Sequence, residues 1–100
     1  KIRVVNAKER RKIAAEKRKV ENEKRKKIEK RVMILESEIL TLEEEQAEIT
    51  KLLEDPDSYS DSEKAKEMNV EAARIAKKLS ERNYEWEIET ENLLKLDKGN

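Results

Sequence analysis

Pro56 constrains this chain more than any other residue. Proline has no N–H to donate and biases the residue before it toward extended backbone. Here the one Pro stands at 56 and the one Gly at 99, so every other stretch of the 100 residues is free of strong helix breakers. The surroundings, Glu54-Asp55-Pro56-Asp57-Ser58-Tyr59-Ser60, are rich in the Asp and Ser that make local turns. Two long helices joined by one short turn are what such a chain can form.

The apolar spacing agrees. Ile28, Val32, Leu35, Ile39, Leu42, Gln46, Ile49 and Leu53 follow steps alternating 4 and 3, a heptad seam with one polar slot. After the turn, Ala65, Met68, Ala72, Ile75 and Leu79 begin a second seam. It continues through a polar step at Arg82 or Asn83, Trp86, a polar step at Glu89 or Thr90, and then Leu93 and Leu96. Ser60 followed by Glu63 reads as a capping box opening that helix. Lys95 and Lys98 suit its negative end, and Gly99 ends the pattern. The expected class is therefore all-α: a two-helix antiparallel coiled-coil hairpin forming one domain. The expected parts are a tail over 1–6, a helix over 7–54, a turn over 55–60, a helix over 61–96 and a tail over 97–100.

At 1.5 Å per residue the helices would be roughly 70 and 54 Å long. Setting Leu53 opposite Ala65 makes partner numbers add to 118, so Leu96 reaches only Asn22. The beginning of the first helix then overhangs without a partner in the chain.

Charge is segregated along this rod. Residues 1–31 carry 15 Lys or Arg against 5 Glu, and residues 32–100 carry 9 against 19 acids, within a neutral total. In the 118 register the stretch holding Lys26, Lys27, Lys30 and Arg31 comes opposite the stretch holding Glu87, Glu89 and Glu91, and internal pairing is expected there. The overhang has no such acids to meet. Arg11, Arg18 and Arg25 also occupy the slots that continue the seam backwards, so this stretch is not built to bury that face. Lys8, Arg10, Arg11, Lys12, Lys17, Arg18, Lys19, Lys24 and Arg25 are the candidate nucleic-acid-binding residues, because Lys and Arg displace counterions from a phosphate backbone. No aromatic interleaves them, which argues against base stacking. The alternative is a structural spacer, or a dimerisation or protein-docking module, with Ile13 and Val20 packing on another body.

Composition closes other routes. With no His and no Cys there is no thiol chemistry, disulfide or zinc site of the usual kind, and the commonest general base is missing. No apolar run approaches the roughly 20 residues of a membrane span, and the expected setting is soluble and cytoplasmic. Asp55, Asp57 and Asp61 imitate a calcium loop. Tyr59, Ser60 and Lys66 then stand where that loop needs an oxygen ligand, a Gly and a Glu. Glu43, Glu44 and Glu45 point around the helix and make no carboxylate pair. Trp86 is expected in the core with its indole N–H on a polar neighbour, and Tyr59 over the hairpin end.

Leu52-Leu53-Glu54-Asp55-Pro56-Asp57-Ser58-Tyr59-Ser60-Asp61, with Tyr84-Glu85-Trp86-Glu87 some way on, resembles the C-terminal domain of ABC-F ATPases. There a coiled-coil hairpin carries an "L-x-D-P-x-x-Y-x-D" turn and a "W-E-x-L" near its end. Lys8-Glu9-Arg10-Arg11-Lys12 is similar to the basic start of that hairpin, and the likeness runs over about 7–96. Class I peptide-chain release factors begin with a comparable unit, but the basic first helix and the Trp favour ABC-F. The resemblance implies a ribosome-associated parent ATPase using ATP and Mg. The partners it implies are nucleic acid (ribosomal RNA, tRNA or DNA) or the ribosome, together with the parent's ATPase domains. For this stretch itself the expectation is no catalysis, no cofactor and a monomer.

Overall fold

The computed structural model describes residues 6–59 and 61–98, with every side chain except those of Ser58 and Tyr59. Helix α1 spans Ala7–Glu54 and helix α2 spans Ser62–Lys98, joined through a 3₁₀ turn over Pro56–Tyr59. The helices pack against each other along one side, and the molecule measures 84 × 21 × 18 Å. It is an all-helical hairpin.

Each boundary has a local cause. Asn6 is extended at φ −75°, ψ 169°, and its Oδ1 accepts the Glu9 N–H at 2.8 Å, capping α1. Asp55, just before the proline, leaves helical geometry at φ −84°, ψ 118° and ends it. Its Oδ1 then accepts the Asp57 N–H at 3.1 Å, a side-chain turn that starts the reversal. The start of α2 is held by the residue just before it. Asp61 is the cap: its Oδ1 accepts the Glu63 N–H at 3.0 Å and its carbonyl accepts the Ala65 N–H at 3.1 Å. Carboxylate and hydroxyl are nearly equivalent caps, and the aspartate stands next to the first helical residue. Ser60 lies outside the described residues, as do Gly99 and the Tyr59 side chain. Replacing Asp61 by Ala is expected to cost about 1 kcal/mol, read as a lower thermal midpoint with the same end-state helicity.

The core is thin. Val32, Leu35, Ile75 and Leu79 are buried, and Leu35 and Ile75 are almost fully enclosed. The flanking seam residues Ile28, Ile39, Leu42, Ile49, Leu53, Ala65, Met68, Ala72, Trp86, Leu93 and Leu96 are half-buried, as a two-helix layer requires. Gln46, though on the seam, is exposed. Its amide keeps water where an aliphatic side chain would have packed. Of the polar seam steps, Arg82 is half-buried and Asn83 exposed, while Glu89 and Thr90 are both half-buried. Trp86 contributes its ring to the interface, yet its Nε1 is buried and meets no acceptor among the described residues, contrary to the expected polar neighbour. An unmet buried donor of this kind costs about 1–3 kcal/mol.

Candidate nucleic-acid interface

Among the described residues three ion pairs cross between the helices: Arg25–Asp97, Arg31–Glu85 and Glu38–Arg82, the last at 2.7 Å. Their partner numbers add to between 116 and 122, on either side of the 118 expected. The identities differ from the expected pairing. Arg31 takes Glu85, not Glu87, Glu89 or Glu91, and Glu91 instead lies 3.7 Å from Lys95 on its own helix. Lys26, Lys27 and Lys30 have no ion-pair partner among the described residues. A guanidinium beside the seam reaches across at several angles, whereas residues on the outward faces of both helices are too far around to meet. The Glu38–Arg82 pair is not apparent in the sequence, where Arg82 reads only as a polar core step.

The hydrogen bond from Arg31 holds the Glu85 carboxyl below its ordinary value, with the nearby charges of Arg31 and Arg82 adding to the effect. Arg74 does the same for Glu71 within α2. A carboxyl whose folded pKa is depressed stabilises the fold fully above its unfolded value, and that contribution disappears as pH falls through the lower folded value. The thermal midpoint is therefore expected to drop as pH goes below the ordinary 4.5 of these groups. Glu85→Gln should show a smaller acid-induced drop than the parent chain. The pairs are exposed, so the effect is modest.

With Arg25 bonded to Asp97 and α2 ending at Lys98, the part of α1 from Ala7 to about Glu21 runs on as a single helix of roughly 22 Å. Every residue from Arg10 to Val20 is exposed. Lys8, Arg10, Arg11, Lys12, Lys17, Arg18, Lys19 and Lys24 are all exposed, and Arg25 is half-buried against α2. Lys8, Arg11, Lys12, Lys17, Arg18, Lys19 and Lys24 have no ion-pair partner among the described residues. The structure thus sets eight of the nine candidates on open helix faces and engages the ninth.

Basic surface also extends onto the hairpin. A groove of about 440 Å³ at its open end has Ile28 and Leu96 among its walls, with Lys24, Lys27 and Lys95 around it. Lys27 joins the candidates here because the expected internal pairing does not form. Among the described residues no group of His, Cys, Asp and Glu could hold a metal ion. No described helix is long and apolar enough to cross a membrane. No family model, no curated protein and no solved structure matches this chain.

Proposed function

We propose that the chain is a non-catalytic nucleic-acid contact module, a stiff hairpin whose basic overhang lies along a phosphate backbone. The observation that carries this reading is the overhang itself: one capped helix, exposed all round, with lysines and arginines on most of its faces and, among the described residues, no acid of α2 beside them. Basic residues near a helix N-terminus do not offset the positive end of the helix dipole, so they are poorly placed for the hairpin's own stability and well placed for an anion. The likeness to the ABC-F C-terminal hairpin supports the same reading and suggests ribosomal RNA, tRNA or DNA as the polyanion and ATPase domains as neighbours. Arg25 binds phosphate only if phosphate replaces Asp97, so Arg25→Ala should weaken binding less than Arg18→Ala.

The test is salt. With about 4–7 phosphates contacted, the logarithm of the binding constant for duplex should fall against the logarithm of salt with a slope of about −4 to −6. A slope near zero in fluorescence anisotropy with labelled duplex would remove the reading.

A further inference from the structure

On the outward side of α1, Met33 and Leu40 are 70% and 60% exposed, seven residues apart. Glu36 and Glu43 alternate with them along the same edge, and both are exposed without an ion-pair partner among the described residues. Glu36, Leu40 and Glu43 line a groove between the helices of about 370 Å³, together with Ile39, Asn83 and Trp86, and Met33 continues the stripe next to it. The result is an acidic and apolar trough, sized for a helix edge and set back along the rod from the overhang.

The overhang carries the complement. Ile13 and Val20, 62% and 49% exposed, are also seven apart, and Lys17, with Lys24 just past the overhang at the hairpin's open end, alternates with them on one edge. Ile13, Lys17, Val20 and Lys24 advance by steps of 4, 3 and 4. Read backwards, Leu40, Glu36, Met33 and Glu29 retreat by the same steps. An antiparallel approach therefore sets Ile13 on Leu40, Lys17 on Glu36, Val20 on Met33 and Lys24 on Glu29 in a single register. Within one copy this contact is impossible, because both stripes lie on the same straight helix. Between copies it joins basic to acidic and apolar to apolar at every step.

We propose that the trough beside Trp86 is a docking site for the basic overhang of a second copy of this chain. The two stripes lie on different edges of α1, so the contact is heterologous: each copy gives its overhang to one neighbour and its trough to another. Such contacts grow head to tail and do not close as a dimer. One helix edge buries little area, which places the association in the weak class of interfaces. Its charge pairs are exposed and so screened by salt. The association departs from the monomer expected of the sequence alone and stands independently of the phosphate-binding reading, although both use the overhang.

Sedimentation equilibrium of the whole chain decides it. At about 100 μM protein the weight-average mass is expected to exceed the monomer's 11.8 kDa by about 1.5-fold or more in about 20 mM salt. In about 500 mM salt it should return to the monomer value. Glu36→Lys and Lys17→Glu should each lose the growth in mass. The double variant carrying both should regain it, since the charges at positions 17 and 36 are then exchanged and attract again across copies. Circular dichroism of each variant, matching the parent chain, separates a lost contact from a lost fold. A monomer at low salt overturns the proposal, as does a closed dimer, or a double variant that stays monomeric while helical. Duplex binding by Glu36→Gln, which lies outside the basic overhang, should persist whichever way the mass result falls. The two readings therefore fail separately.

Discussion

A variant carrying Arg11→Glu, Lys12→Glu, Arg18→Glu and Lys19→Glu is expected to bind duplex at least about 100-fold more weakly than the parent chain at moderate salt, with its salt slope flattened by about 4 contacts' worth. The four positions form two seven-residue pairs, Arg11 with Arg18 and Lys12 with Lys19, on two neighbouring faces of the overhang, and all are exposed. Among the described residues none of the four has an ion-pair partner, so their reversal breaks no internal bond. The four positions lie beyond the first turn of α1, outside the reach of the helix dipole, and far-ultraviolet dichroism of the variant reads its helicity directly. A loss of binding with helicity retained therefore reports on contact and not on folding. Unchanged anisotropy titrations would remove the overhang from the interface.

The second large effect is on stability. Leu35→Ala or Ile75→Ala is expected to cost about 2–5 kcal/mol, because each removes an almost fully enclosed side chain from a core that has few others. In a domain of this size each kcal/mol lowers the thermal midpoint by about 4–8 °C. A drop on the order of 10 °C or more follows, and a thin two-helix layer has little reserve against it. Met33→Ala, removing a residue that is 70% exposed, should stay within about 0.5 kcal/mol of the parent and serves as the control. Thermal melts followed by far-ultraviolet dichroism separate the cases. Equal midpoints for Leu35→Ala and Met33→Ala would mean that the helices do not pack as described.

The hairpin is legible in the sequence because its two signals are nearly unambiguous over this length. A 4-3 alternation sustained from Ile28 to Leu53 has no competing strand reading, and a lone Pro56 leaves one place to turn. Where the sequence reads less well, the reason is local geometry. Adding partner numbers sets Lys27 against Glu91 and brings Lys26 and Lys30 within one residue of an acid, but the addition ignores how far around each helix a side chain sits. Arg82 looks like a break in the seam, and its guanidinium instead reaches Glu38. For the candidate site, the excess of basic residues is visible, and so is the overhang that the shorter second helix leaves beyond its end. The trough beside Leu40 and Trp86 is not, since exposed apolar residues off a seam look the same in sequence whether or not a groove lies beside them.

The continuity of α1 has a mechanical consequence. From the Asn6 cap to Glu54 no described residue interrupts it, so the overhang and the turn belong to one lever of about 72 Å. A body that holds the first turns and rotates by about 10° would sweep the far end through about 12 Å, with the helix acting as the stiff member. A small rotation at the handle thus becomes a displacement wider than a helix at the tip.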